Sequence, residues 1–173
     1  MTKDLYTIIT GTGSYIPTVR VPNSSFLNTE FYGPDGERVK YDKGAKAGQI
    51  IPTSEIIEKI EEISGIKERR YVTDDLVASD IGFFAARDCL VSSGIDKESL
   101  NYIIFAHNFG DVKTDNKRSD FVPSLAARVK NKLRIENPWT VAYDLPFGCP
   151  GWLQGVIQAD DLLKKGGRAL VIG

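Results

Sequence analysis

A layered α/β fold on a mostly parallel sheet is the architecture the sequence predicts, and three observations carry it. Stretches rich in β-branched and aromatic residues recur at residues 5–10, 102–106, 140–145 and 169–172, the composition of strands. Segments with apolar residues at helical spacing lie between them, and such alternation packs as a sheet covered by helices. The 173 residues suit one domain with a substantial core, or one half of a larger fold.

Taken in order, MTKDLYTIIT is a short apolar stretch followed by polar TGTGS, which reads as a first strand rather than a signal peptide. Residues 28–50 interrupt the rhythm: Gly33-Pro34-Asp35-Gly36 is turn chemistry in a polar, charged stretch, so a surface insertion, a long loop or a small hairpin, is expected, with a lid as the alternative. Ile56, Ile57, Ile60 and Ile63 form the stripe of a first helix closed by Gly65. A second helix runs over residues 79–93, from a Ser-Asp start to Gly94, with Ile81, Phe84, Ala85 and Leu90 as its apolar residues. A third begins near Ser124, with Leu125, Val129 and Leu133 four apart. The fourth follows Cys149, is expected to turn Trp152, Leu153, Val156, Ile157 and Leu163 inward, and ends on Lys164, Lys165, Gly166 and Gly167. The final strand stops at Gly173, where a βα fold ordinarily continues, so a fragment is expected.

Charge and cysteine content narrow the function classes. Lys and Arg total 22 against 23 Asp and Glu, a net charge of -1, which gives no overall field for nucleic acid. Two cysteines and one histidine supply neither a disulfide framework nor a metal-ligand set, so no metal, no cofactor and a reducing, cytoplasmic setting are expected. No run approaches the roughly 18 apolar residues of a membrane span.

The segment DLPFGCPGW holds the chemistry. A strand leads through Pro146, Phe147 and Gly148 into a helix, and proline favours the first helical position, so Pro150 there makes Cys149 the expected cap residue. Its sulfur then lies beside the Gly151 and Trp152 amides and the positive end of the helix dipole, an arrangement that lowers a thiol from about 8.5 and raises its thiolate fraction. One of Gly148 and Gly151 is expected to free the backbone for a sharp turn and the other to leave room for an acyl group. The Cys149 amide is a candidate oxyanion donor. The competing reading is a cap or a packed small residue, since Gly-x-nucleophile-x-Gly is not met: residue 147 is phenylalanine. Cys89, mid-helix in AARDCLVSSG, reads as core.

The order GTGSYIP, SGIKERR, SDIGFFAARDCLVSSGID, YIIFAHN, VPSLAARV, YDLPFGCPGW and RALVIG resembles the amino-terminal half of a β-ketoacyl-acyl-carrier-protein synthase III, a thiolase-fold condensing enzyme. The resemblance covers nearly the whole chain outside the 28–50 insertion and implies one amino-terminal thiolase-like domain, residues 1–173, lacking its carboxyl-terminal partner. It implies that Cys149 is the acyl-accepting nucleophile, that acyl-coenzyme A or acyl-carrier-protein thioesters are the partners, and that the enzyme is a homodimer. A malonyl thioester then decarboxylates and condenses with the acyl group, using a histidine and an asparagine that the family places in its carboxyl-terminal half, so the fragment alone is expected to be inactive. His107, at a strand end, is not that histidine; it is a substrate-pocket candidate, or a hydrogen-bonded structural residue. Val122 aligns with the segment that in the family reaches the neighbouring subunit's acyl pocket, and Gly148 is carried as a substrate-binding position. The chain departs from the family where a tryptophan and an arginine clamp adenine: it has Lys59 and Ile63 there, which favours a carrier-protein donor or a specialised relative over coenzyme A. Lys67, Arg69 and Arg70 are either a phosphate or acidic-carrier contact or a solvated charge run. Competing functions are an acyltransferase forming an ester or amide, and an inactive interaction module.

Overall fold

The computed structural model describes residues 6–173. The chain divides into two compact units, Pro17–Tyr71 and the remainder, which runs up to Ile16 and resumes at Val72.

In the smaller unit, strand β1 (Val19–Pro22) pairs antiparallel with β2 (Glu68–Tyr71), and helix α1 (Thr53–Ser64) lies between them in sequence. Gly65 ends α1 in the left-handed region at φ 69°, as its position predicts. Buried Asn23 ties the unit together: its amide donates to Glu61 (2.9 Å) and the Ile66 carbonyl (2.8 Å), and its oxygen accepts from Arg69 (2.8 Å). The insertion forms a small hairpin-like excursion with bridges Tyr32–Arg38 and Lys40–Ile50.

The larger unit has three layers. Strands β3 (Tyr102–His107), β4 (Val141–Pro146) and β5 (Ala169–Ile172) form a parallel sheet in the order β4-β3-β5. The central strand is buried on both faces, with Ile103 and Ile104 at 0 % exposure. Period-two alternation sorts its neighbours. Ile103, Phe105, Leu170 and Ile172 face a cluster supplied by Ala86 of α2 (Ala78–Ser93) and by Leu125, Ala126 and Val129 of α3 (Leu125–Lys132). Ile104, Ala106 and Val171 face α4 (Gly151–Leu162), which approaches through Gly151 and Gly155.

Helix ends follow the sequence more closely than helix faces. Ser124 caps α3 by accepting from the Ala127 amide (3.1 Å), and Gly94 closes α2 at φ 65°. The inward face of α4 differs from the expected one: Trp152, Leu153 and Ile157 are about half exposed, and the buried positions are Gly151, Gly155 and Ala159, with Leu163 just beyond the helix. A Cβ on Gly155 would lie 2.8 Å from Val171 Cγ1, so the helix axis comes too near the sheet for a larger residue.

The strand expected over residues 5–10 is likewise corrected for its described part. Residues 6–10 pair with no strand, and Ile8 and Ile9 are 76 % and 70 % exposed; Leu5 lies outside the described residues. Strand character requires a neighbouring ladder, and here helices supply the partners instead. The Thr7 amide donates to Asp160 Oδ1 (3.3 Å), the Ser14 amide to Asp88 (3.1 Å), and Ser92 Oγ to the Thr12 carbonyl (2.7 Å). Gly13 passes so close to α2 that a Cβ would stand 2.2 Å from the Cys89 nitrogen.

Asp160 makes one of these anchors pH-sensitive. Its bonds from Lys164 (2.6 Å) and then from the Thr7 hydroxyl pull its carboxyl down to about 2. A carboxyl depressed in the folded state adds stability above its unfolded value of about 3.9 and loses it as pH falls through the folded one. The Thr7 amide resonance is therefore expected to titrate with a midpoint near 2; a midpoint near the ordinary aspartate value of about 3.9 would mean the contact does not form.

Candidate active site

Cys149 lies in the turn that joins β4 to α4, and it is exposed. The turn is tight: the Gly151 amide donates back to the Gly148 carbonyl (2.8 Å), and the first helical bond runs from the Gln154 amide to the Pro150 carbonyl (2.9 Å). That bond makes Pro150, not Cys149, the cap residue, so the helix begins one residue later than the sequence suggests. The Gly151 amide, expected beside the sulfur, is committed to the turn by its bond to the Gly148 carbonyl.

Of the two tasks expected of the glycines, leaving space falls to Gly148, whereas Gly151 serves packing rather than a left-handed turn. Gly151 is buried, and a Cβ there would meet Ala106 Cβ at 3.1 Å and Phe147 Cβ at 3.2 Å, so it lets the start of α4 close onto the end of β3. Gly148 is not in the left-handed region, and a Cβ there would have no atom within 4 Å. It is therefore Gly148 that leaves open space next to Cys149.

His107 ends β3 and is almost completely enclosed, with 6 % of its side chain exposed. Its Nδ1 accepts from the Gly110 amide (3.0 Å), which places the proton on Nε2, and Nε2 donates to Asp144 Oδ2 (3.0 Å). Asp144 also accepts from the Leu125 amide (2.7 Å) and the Ala126 amide (2.8 Å) at the start of α3. Both ring nitrogens are thus engaged inside the fold. Phe121 lays its ring 5.6 Å from the imidazole.

The loop between β3 and α3 is braced from beneath. Asp111, 3 % exposed, accepts from the Ser79 amide (2.7 Å), Ser79 Oγ (2.6 Å) and Arg128 (2.7 Å). Arg128 also pairs with Asp120 (2.8 Å) and donates to the Pro123 carbonyl (3.0 Å); the Asp120 bond first, then that to Asp111, raises its guanidinium above the ordinary arginine value. Asp111 and Asp120 exchange backbone bonds, and past them Val122, followed by a cis bond to Pro123, is 85 % exposed.

Asp144, Asp111, Arg128 and Phe121 are absent from the sequence reading. Asp144 had a legible signal, a carboxylate in the otherwise apolar strand WTVAYDL; Asp111 had none, because its partners come from residues 79 and 128. Among the expected basic contacts, Arg69 is bonded to Asn23, Arg70 lies 3.5 Å from Glu68, and Lys59 pairs with Glu62 (2.7 Å). Cys89 is half-buried in α2, where burial first and Asp88 second push its thiol up.

A groove of about 900 Å³ is lined by residues 6–13, by parts of α2 and α4, and by residues 166–173. Cys149 is not part of its lining. Among the described residues no cluster of His, Cys, Asp and Glu could hold a metal ion, and no helix is long and apolar enough to cross a membrane.

No family model matches the sequence. Solved structures do match over nearly the whole chain. A β-ketoacyl-[acyl carrier protein] synthase III from Thermus thermophilus aligns with TM-score 0.62 at 26% identity, covering 92% of this chain and 39% of its own. This is the fold of the amino-terminal part of a thiolase-like condensing enzyme. A 3-oxoacyl-(acyl-carrier protein) synthase from Burkholderia xenovorans (TM-score 0.68, 18% identity, 94% of this chain and 38% of that one) has the same fold. So does the priming β-ketosynthase of a polyketide biosynthetic pathway (TM-score 0.66, 20% identity, 96% and 40%). The chain therefore spans about two fifths of the length of the condensing enzymes it matches.

Proposed function

We propose that Cys149 is the acyl-accepting nucleophile of a decarboxylating condensation of the synthase III type. The observation that carries the reading is the exposed thiol on the β4–α4 turn, in the fold of the synthases above, with open space beside it at Gly148. In the first stage the thiolate attacks the carbonyl carbon of an acyl thioester, the oxyanion is received by the Cys149 amide among other donors, and collapse expels the donor thiol, which takes up a proton. In the second stage a malonyl thioester loses carbon dioxide, its carbanion forms a carbon–carbon bond to the acyl carbonyl, and the C–S bond breaks to return the Cys149 thiol. This chain supplies the nucleophile; the proton-handling groups of the second stage belong to the remainder of the enzyme. A carrier-protein thioester is the favoured donor, because Lys59 and Ile63 offer no flat surface for adenine and Lys59 is already paired with Glu62. A second copy of the chain is proposed to cover the outer edge of β4, which among the described residues pairs only with β3 and carries Val141, 51 % exposed, with Trp139, 85 % exposed, just before it.

Intact-mass analysis after incubation with acyl-carrier-protein and acyl-coenzyme A thioesters tests this. One acyl adduct on Cys149 and none on Cys89 is expected, and Cys149→Ala is expected to lower adduct formation by about a thousandfold or more. Gly148→Ala should keep the fold and slow acylation. An adduct on Cys89 alone, or equal labelling of the Cys149→Ala chain, overturns the assignment. With the complete enzyme, carbon dioxide release and a product two carbons longer support condensation, while an ester or amide product selects simple acyl transfer. Sedimentation of the complete enzyme as a monomer only would remove the second copy.

A further inference from the structure

We infer that Asp144, acting through His107, is a positioning residue that registers the 108–122 loop against the turn of Cys149. The inference deepens the acyl-transfer reading and rests on it only for its consequence, which acyl groups reach the sulfur. Asp144 is the one carboxylate of β4, and its side chain is 9 % exposed. Its Oδ1 accepts from the Ala126 amide, and its Oδ2 accepts from both the Leu125 amide and His107 Nε2, so a single group fastens the start of α3 and the end of β3 to β4.

His107 carries that attachment in two directions. Its Nδ1 holds the Gly110 amide at the start of the loop, and its main-chain carbonyl accepts from the Phe147 amide (3.0 Å), two residues before Cys149. The loop transmits a shift because it has little slack. Gly110 stands at φ 73°, where a Cβ would lie 2.7 Å from the Asp120 carbonyl oxygen, and Asp111 and Asp120 close the base with reciprocal bonds of 3.1 and 2.9 Å. Phe121 then returns to the imidazole, and Val122 projects from the end of the same segment. A displacement of His107 therefore reaches both the projecting end of the loop and the backbone that aims the sulfur. Neither Asp144 nor His107 bonds to the sulfur, so the readout is substrate choice rather than the bond-making step.

Amide hydrogen exchange on this chain separates the possibilities. Asp144→Asn keeps the shape and weakens the acceptor, and it is expected to speed exchange about tenfold at Leu125 and Ala126, its direct partners, and equally at Gly110 and Phe147, its indirect ones. His107→Gln retains a donor toward Asp144 but removes the acceptor for Gly110; exchange should rise at Gly110 with Leu125 and Ala126 unchanged. Acceleration confined to residues 125 and 126 in Asp144→Asn overturns the inference, because the carboxylate then serves α3 alone. Should Asp144→Asn unfold the sheet, seen as exchange at Ile103 and Ile104, the His107→Gln result decides, and an unchanged Gly110 amide overturns the inference. In the complete enzyme, Asp144→Asn is expected to change the ratio of long-chain to short-chain acylation rates by about threefold or more, an effect that loss of stability alone does not produce. Coupled exchange without any acyl adduct on the unaltered chain would remove the function proposed above and leave the positioning role intact; uncoupled exchange with normal acylation would do the reverse.

Discussion

Replacing Asp111 with alanine is expected to destabilise the larger unit by about 3–5 kcal/mol, the usual consequence of breaking a buried ion pair from one side. Asp111 accepts three bonds while 3 % exposed, and two of the donors belong to Ser79, itself 2 % exposed. With the carboxylate gone, the Ser79 amide and hydroxyl have no acceptor, and Arg128 keeps only the more exposed Asp120 and the Pro123 carbonyl. Since a domain's total stability is about 5–15 kcal/mol, the variant lies near the folding threshold. Urea denaturation followed by far-UV circular dichroism measures the loss. A change below about 1 kcal/mol would show that water replaces the carboxylate and that the loop is not braced from this point. Asp111→Asn should lose less, because an amide oxygen can still accept from Ser79.

The second large effect is expected from Gly82→Val. A Cβ at residue 82 would lie 2.3 Å from Phe105 Cε2 and 2.6 Å from Cζ, and Phe105 is 4 % exposed in a ring of core residues. Either the buried Phe105 ring must turn within its cluster or α2 must move off the sheet. Overpacking of this kind costs about 1–3 kcal/mol for small intrusions, and a branched side chain is expected at or above the top of that range. The gain in helix propensity on removing glycine, under about 1 kcal/mol, does not offset it. Gly82→Ala should fall between the two. A Gly82→Val chain with unchanged denaturation midpoint would sink the close-packing argument for α2.

These two sites also show where sequence reasoning succeeds and where it stops. Helix ends are set by local chemistry, and Gly65, Gly94 and Ser124 were legible because a left-handed turn or a hydroxyl acceptor acts within four residues. The strands at residues 102–106, 140–145 and 169–172 were legible from their β-branched and aromatic content, which suits a packed sheet; burial on both faces is strongest in the central one. Helix faces were harder. Apolar periodicity weights bulky side chains, and it turned Trp152, Leu153 and Ile157 inward, whereas close approach to a sheet selects the smallest residues, Gly151, Gly155 and Ala159. The expected strand at residues 5–10 is not formed over its described part, residues 6–10, where the composition is right but no ladder partner lies alongside. At the candidate site, Cys149 and Gly148 could be found from the turn chemistry around them. His107 was named and Asp144 was not, and their connection was out of reach because the bond spans 37 residues of sequence.

The contact between α4 and the sheet bears on how the turn that carries Cys149 is held. A helix that meets strands through hydrogen atoms and a single methyl group has its height fixed by main chain against side-chain tips, with no bulky spacer to compress or rotate. The larger residues of that helix point elsewhere. Exchanging them should therefore alter the outer surface of this twelve-residue element without lifting or tilting the segment that starts beside Cys149.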